Sequence, residues 1–177
     1  MTASADELAR LAGKYDTLAA LRRARARGEP VPPASVFKAL ARAFPGCLNE
    51  LDTLPIEIID ERAEALRGAA AGGPEEPWME WLSGYHALLR AALLIKVRVA
   101  SGPPDEATSL EIARDVQERL AREIEAPALA AVDAALVREV AAPPGGRLVT
   151  LVFARLERLH GRPAETIKRT LFPRSKR

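Results

Sequence analysis

Residues 77–100, Pro77-Trp-Met-Glu-Trp-Leu-Ser-Gly-Tyr-His-Ala-Leu-Leu-Arg-Ala-Ala-Leu-Leu-Ile-Lys-Val-Arg-Val-Ala100, form the most apolar run in the chain. At a helical period of 3.6 residues, the large apolar side chains fall on one broad stripe and extend to a second side. The stripe holds Trp78, Trp81, Leu82, Tyr85, Leu88, Leu89, Ala92, Ile95 and Val99, and the extension holds Met79, Leu93 and Val97. The remaining face carries the small residues Ser83, Gly84, Ala87 and Ala91, which let a neighbouring backbone come close. The run therefore predicts a central helix buried from more than one direction.

A membrane span is the competing interpretation of this run. The segment contains the polar or charged residues Glu80, His86, Arg90, Lys96 and Arg98. Its longest uncharged apolar stretch falls well short of the roughly 20 residues that a bilayer requires. We therefore expect a helix of a globular domain.

The composition is that of an ordinary globular protein. The chain has 177 residues, 48% of them hydrophobic, and its 26 basic and 24 acidic side chains nearly cancel. The overall field is too weak to indicate nucleic acid or an anionic membrane by itself. The single cysteine, Cys47, excludes an internal disulfide and a Cys-rich zinc site, and the first residues lack the pattern of a signal peptide. We expect a cytoplasmic protein of bacterial type.

Apolar periodicity also predicts helices before and after the central one. Ser4 and Glu7 form a capping-box pattern for the first helix, and later helices are expected to end near Pro45-Gly46, Ala70, Glu125, Ala141 and Gly161. Leu48, Leu51 and Leu54 indicate only a turn or two, whereas Leu129, Val132, Leu136 and Val140 indicate one continuous stripe. The predicted fold is all-α, with a single bundle of seven or eight helices over residues 1–172 and a basic tail at 173–177.

Two details of the second half are less ordinary. Residues 147–153 are rich enough in β-branched and aromatic residues for a strand. A helix is nevertheless predicted, because the 3.6 period runs on to Leu159 and no second strand is present to pair with it. In the helix that precedes Glu125, Leu110 is expected inward, and Asp115 is expected to pair with Arg119, as Glu118 is with Arg122.

Two charged patches are candidate interaction surfaces. Arginines crowd the end of the first helix, and carboxylates line the outer face of the helix that ends near Ala70. The basic patch consists of Arg22, Arg23, Arg25 and Arg27, and the acidic patch consists of Glu57, Asp60, Glu61 and Glu64. The patches either are solvated faces, or they bind phosphate, each other or a partner protein.

Candidate chemistry centres on two histidines and the cysteine. His86 should be buried, either as a satisfied core side chain or beside a ligand pocket formed with Trp81, Tyr85 and Arg90. Cys47 lies near a helix start, where the helix dipole lowers the pKa of a thiol, although most lone cysteines are buried hydrophobes.

His160 belongs to two short patterns. Glu157 and His160 have the Glu-x-x-His spacing of one half of a di-iron site. The second half is missing, because Ser83 stands where His86 would need its carboxylate, so neither a metal nor any other cofactor is expected.

Arg155 and His160 have an Arg-x4-His spacing that resembles the short motif of HEPN ribonucleases, which are all-helical proteins. Those enzymes usually carry a polar residue directly after the arginine, and this chain has Leu156 there. The resemblance implies that His160 would act as general acid or base and that Arg155 would hold the RNA phosphate.

The leading hypothesis for function is a non-catalytic helical interaction or regulatory module that binds a protein partner or a second copy of itself. It follows from the absence of a complete acid–base, metal or phosphate-binding pattern. The alternatives are an RNA-directed nuclease using Arg155 and His160, and a helical protein that binds a small ligand or, through its basic patch and tail, nucleic acid.

Overall fold

The structure is a computed structural model that describes residues 3–173, apart from the side chain of Pro144. Over these residues the chain forms nine α-helices and no strand, which confirms the all-α fold. They are α1 (Ala5–Ala26), α2 (Ala34–Ala43), α3 (Cys47–Thr53), α4 (Ile56–Ala70), α5 (Pro77–Arg98), α6 (Glu106–Ala121), α7 (Ala134–Ala141), α8 (Leu148–His160) and α9 (Ala164–Leu171). Short 3₁₀ turns occur at Pro127–Ala131 and Pro144–Gly146.

The helix count exceeds the expected seven or eight because the turn or two predicted after Gly46 forms a separate helix, α3, of seven residues. Gly46 has a φ of 84°, a left-handed conformation that glycine adopts without strain, and it separates α2 from α3. The boundary of the bundle at residue 172 stays a prediction. Most of the basic tail, 174–177, lies outside the described residues.

Helix α5 is central, as the apolar run predicts. Pro77 occupies its first turn, every residue from Leu82 to Leu89 is buried, and the helix packs against α1, α6, α7, α8 and α9. The face of small residues allows α8 to approach α5 closely, as predicted. A Cβ on Gly84 would lie only 3.1 Å from Cδ2 of Leu156 on α8.

The second apolar side of α5 is covered only at its N-terminal half. Met79 is buried, but Leu93 is 42% exposed and Val97 is 79% exposed. The expectation that these two residues lie in the core is therefore wrong. Among residues 3–173 no other element covers these two side chains, so the stripe continues into solvent.

The first half of the chain is built on the pairing of α1 with α4, the most extensive helix contact in the fold. The Ser4 hydroxyl accepts a hydrogen bond from the backbone N–H of Glu7, as the capping-box pattern predicts. The Glu7 side chain does not complete the box. It accepts hydrogen bonds from Arg10 and from the hydroxyl of Ser83, and so joins α1 to α5.

The second half departs from the predicted pattern at two places. The stripe expected to run continuously to Ala141 is divided, because Asp133 caps the start of α7 with its carboxylate. Leu110, expected inward, is 45% exposed on α6.

The ambiguous segment 147–153 forms the start of α8, so the helix prediction is confirmed there. Gly161 ends this helix in a left-handed conformation. Among residues 3–173 no helix has the length and apolar character that crossing a membrane would need.

Candidate functional site

A group of charged and polar side chains lies in the middle of the core, where α1, α3, α4 and α5 meet. We call it the Lys14 cluster, and it consists of Lys14, Tyr15, Glu50, Arg62 and His86. Each of its five residues is less than 10% exposed. Lys14 forms an ion pair with Glu50, and its Nζ lies 3.0 Å from Nε2 of His86.

These contacts fix the protonation of His86. A charged ammonium group only donates hydrogen bonds, so beside a protonated Lys14 the Nε2 of His86 accepts one, and the proton of the neutral imidazole is on Nδ1, which is buried and has no partner among residues 3–173. Burial lowers the pKa of His86 well below its ordinary value, and the charges of Lys14 and Arg10 lower it further. Burial also lowers the pKa of Lys14, against the opposing effect of Glu50.

The same cluster fastens the last helix to the core. The Tyr15 hydroxyl donates to Oε1 of Glu50 at 2.9 Å, and Arg62 donates to the Tyr15 oxygen at 3.1 Å. Arg62 also donates to the backbone carbonyls of Leu171 and Thr170 at 2.7 and 2.6 Å. Its guanidinium thus satisfies carbonyls at the C-terminus of α9. The cluster is a structural polar network, since none of the cavities described below is lined by Lys14, Glu50 or His86.

Cys47 borders this cluster and is also buried. Burial raises the pKa of its thiol to about 11, although the charge of Lys14 acts in the opposite direction. The thiol is therefore protonated near pH 7. This is opposite to the direction that a position near a helix start suggested, because desolvation outweighs the helix dipole at this site.

The three candidate site residues on α8, Arg155, Glu157 and His160, have different neighbours. Arg155 is almost fully buried and donates to Glu139 at 2.8 Å and to Asp133 at 3.2 Å, which ties α8 to α7. Glu157 accepts a hydrogen bond from the backbone N–H of Ala164 and caps α9. His160 instead packs against the ring of Trp81 on α5.

The geometry therefore does not bring Arg155 and His160 to one place, nor does it join Glu157 to His160 in a ligand set. Among residues 3–173 no group of three or more histidine, cysteine or carboxylate side chains is arranged to hold a metal ion.

The four residues of the expected ligand pocket are divided among separate surroundings. His86 belongs to the Lys14 cluster, and Tyr85 packs its ring against Phe153 and Phe172. Burial raises the pKa of Tyr85 to about 12. Trp81 lies beside His160, and Arg90 pairs with Glu123 on the outside of the bundle.

The basic patch at the end of α1 is occupied by internal contacts. Arg22 donates to the carbonyls of Leu51 and Leu54 at the end of α3. The other three pair with carboxylates: Arg23 with Asp60, Arg25 with Asp52, and Arg27 with Glu29. One residue of the acidic patch, Asp60, is thus paired with the basic patch, while Glu57, Glu61 and Glu64 are exposed.

A groove of about 300 Å³ opens between α2, α5 and α6, and we call it the α2/α5/α6 groove. Its apolar lining is Ala41, Pro45, Leu93 and Leu94, and its charged lining is Arg42, Arg90, Arg119 and Glu123. Arg119 does not pair with Asp115 as its spacing predicts, because Asp115 accepts a hydrogen bond from Arg98 at 2.8 Å. Arg42 and Arg119 are exposed and have no carboxylate partner within residues 3–173.

A second cavity, of about 310 Å³, lies where α5, the 3₁₀ turn Pro127–Ala131 and the end of α8 meet. We call it the His160 pocket, and it is lined by Glu80, Gly84, Pro127, Ala128, Ala130, Leu159 and His160. The Nε2 atom of His160 is buried and lacks a hydrogen-bond partner among the described residues.

Sequence reasoning missed the Lys14 cluster, Glu80 and the free arginines of the groove. One signal for the cluster was available, since Lys14 falls between Leu11 and Leu18 on the apolar stripe of α1. A charged residue at such a position is either snorkelling or paired in the core. No comparable signal existed for the groove, because its lining comes from three helices that are distant in sequence.

Comparison of the chain with protein-family models, with curated proteins and with solved structures found no match.

Proposed function

We propose that this chain is a non-catalytic interaction module that binds an acidic, amphipathic segment of a partner protein in the α2/α5/α6 groove. The observation that carries the proposal is the exposure of Leu93, and of Val97 one turn further along α5, beside arginines that have no internal partner. The cytoplasmic location expected from the sequence belongs to this proposal.

The apolar floor of the groove supports binding by burial of nonpolar surface. Leu93 is 42% exposed although it belongs to the most buried helix of the fold, and Leu94 and Ala41 lie beside it. Covering such surface contributes about 25 cal/mol for each Å² removed from water. Contiguous exposed apolar surface with a polar rim is typical of protein interaction sites.

The charge of the rim supports an acidic partner. The lining contains three arginines against one carboxylate, and the carboxylate, Glu123, is already paired with Arg90. Arg42 and Arg119 therefore offer uncompensated positive charge in the same groove as Leu93. A helix with apolar residues at i, i+3, i+4 and i+7 and carboxylates on its flanks matches both features.

The internal contacts of the candidate catalytic groups favour a binding role over an enzymatic one. Arg155 is held by two carboxylates, Glu157 caps a helix, and burial keeps the Cys47 thiol protonated. The nuclease that uses Arg155 and His160 stays an alternative. For that reaction Arg155 would have to leave Asp133 and Glu139 before it met a phosphate.

The test uses a fluorescein-labelled designed helix with leucines on one face and glutamates on the other, titrated with the full chain and followed by fluorescence anisotropy. We expect saturable binding that Leu93→Ser and Arg119→Glu each weaken by about tenfold, the equivalent of about 1.4 kcal/mol. Leu110→Ser and Arg114→Glu are matched controls, because they make the same changes at exposed positions of α6 outside the groove lining.

Equal binding of the corresponding basic helix, or no binding of either helix, contradicts the proposal. The groove is assigned to nucleic acid instead if a single-stranded oligonucleotide binds more tightly than the acidic helix and if Arg119→Glu abolishes that binding. Sedimentation that reveals a dimer abolished by Leu93→Ser assigns it to a second copy of the chain.

A further inference from the structure

The His160 pocket is separate from the groove and has the features of a small-ligand site. Its volume of about 310 Å³ is at the lower end of the roughly 300–1,000 Å³ typical of such sites. Most of its wall is apolar, from Pro127, Ala128, Ala130 and Leu159, and two polar side chains, Glu80 and His160, face the same space.

His160 supplies a buried polar atom that nothing in the described chain satisfies. Its Nε2 has no hydrogen-bond partner among residues 3–173, whereas the great majority of buried polar atoms in folded proteins are paired. Leaving a buried polar group unpaired costs free energy, so a partner that enters the pocket and pairs with it recovers that energy. Burial lowers the pKa of His160, the charge of Glu80 raises it, and the charge of the N-terminal amino group lowers it again, so the imidazole is neutral at pH 7.

Glu80 gives the pocket its charge. Its carboxylate is half-buried at the pocket wall and has no cationic partner within the described part of the chain. No lysine or arginine of residues 3–173 lines the cavity. In the tautomer with its proton on Nδ1, a neutral His160 accepts through Nε2, and together with the carboxylate it then presents hydrogen-bond acceptors and one negative charge.

The space next to His160 exists because Gly84 has no side chain. A Cβ at this position would lie 3.1 Å from Cδ2 of Leu156, 3.4 Å from Cβ of Ala128 and 3.9 Å from Nε2 of His160. A larger residue on α5 would therefore press on α8 and on the 3₁₀ turn, and its side chain would occupy the pocket beside the imidazole.

We propose that the His160 pocket binds a small primary ammonium compound with a compact apolar body. The ammonium group donates hydrogen bonds to the Glu80 carboxylate and to Nε2 of His160, and the apolar body packs against Pro127, Ala128 and Leu159. This site goes beyond the proposed function and does not depend on the groove, because the two cavities share no lining residue.

The test follows imidazole resonances, since the chain has only two histidines and His86 is a fully buried internal reference. The ¹⁵N-labelled full chain is titrated with 2-phenylethylammonium at pH 7, and His160→Gln identifies the His160 signals. We expect a saturable shift of the His160 nitrogens with the His86 nitrogens unmoved. The isosteric neutral 2-phenylethanol and the anion phenylacetate should bind at least tenfold more weakly.

Two variants separate recognition from folding. Glu80→Gln should weaken binding of the ammonium by about tenfold or more, whereas Glu57→Gln, the same change at an exposed position of α4, should leave it unchanged. Ala130→Leu narrows the pocket from an exposed position and should remove binding with the thermal midpoint retained.

Three results would each overturn the assignment. They are the absence of a His160 shift with 2-phenylethylammonium, equal affinity for the alcohol, and unchanged affinity in Glu80→Gln. Failure of the helix titration at the groove leaves these measurements unaffected.

Discussion

Nζ of Lys14 on α1 lies 3.0 Å from Nε2 of His86 on α5, although the two residues are 72 positions apart in the chain. The same ammonium group is paired with Glu50, and all three side chains are buried. A charged group in the core is tolerated only when it is paired and hydrogen-bonded. The stability of the bundle therefore depends on this contact as a unit, and the chain's behaviour towards mutation and pH follows from it.

Lys14→Met removes the nearest cation and leaves the buried Glu50 carboxylate with only the more distant Arg62, at 3.9 Å, and the Tyr15 hydroxyl. We expect the free energy of unfolding in urea to fall by about 3–5 kcal/mol. Lys14→Met combined with Glu50→Leu removes both charges and should recover much of that loss. A double variant no more stable than Lys14→Met alone would mean that the pair is not the source of the effect.

Acid should destabilise the fold before the carboxylates titrate. The pKa values of His86 and His160 are both lowered by burial, so the unfolded chain takes up protons below about pH 6.5 while the folded chain does not. The stability that the two neutral histidines contribute is thus fully present above about pH 6.5. It is lost as the pH falls from there towards the lowered pKa values of the folded state. For His86 the free energy of unfolding should drop by up to about 1.4 kcal/mol per pH unit, and the half-buried His160 should contribute less.

Urea melts at half-unit steps from pH 7.5 to 5 measure this slope. His86→Leu should remove most of it, because His86 is the fully buried histidine with the larger lowering of its pKa. A slope that persists unchanged in His86→Leu would place the pH dependence elsewhere.

Two glycines on helices should respond differently to substitution by alanine. Gly13 on α1 has open space where a Cβ would stand, so Gly13→Ala should stabilise the fold by about 0.5–1 kcal/mol through helix propensity. Gly84 contacts α8 and the 3₁₀ turn closely, so Gly84→Ala should gain nothing and Gly84→Leu should lose about 1–3 kcal/mol by overpacking. Thermal melts of the three variants check the contrast.

The peptide affinity of the α2/α5/α6 groove should depend on salt. Arg42 and Arg119 are exposed, so a rise from low salt to about 0.5 M shortens the screening length to a few ångströms and should weaken binding. Arg119→Glu should show a smaller salt dependence than the wild type, and Arg114→Glu should behave as the wild type. Salt-independent binding would mean that the arginines do not contact the peptide.

RNA cleavage distinguishes the nuclease alternative. Because Arg155 is held by Asp133 and Glu139, we expect the wild type, His160→Ala and Arg155→Gln to give the same background rate on a fluorogenic RNA substrate. Cleavage well above background that either substitution abolishes would favour the nuclease and count against the interaction module. Arg155→Gln should still lower stability, since it leaves two carboxylates without their cation.

Much of the fold was determined by the sequence alone. The apolar run from Pro77 placed the central helix, and the 3.6 period through Leu159 identified residues 148–160 as helix despite their β-branched composition. These features are local, because the spacing of apolar side chains and the capping and breaking residues act within a few turns of one helix.

Tertiary structure alone decided which groups meet. Leu93 and Val97 have the spacing of core residues, yet they are exposed because nothing within residues 3–173 covers their side chains. Arg155 and His160 are close in sequence but face different neighbours, while Lys14 and His86 are far apart and in contact. Periodicity fixes the face on which a side chain lies, whereas its partner depends on how helices from distant parts of the chain cross, and each candidate site is formed at such a crossing.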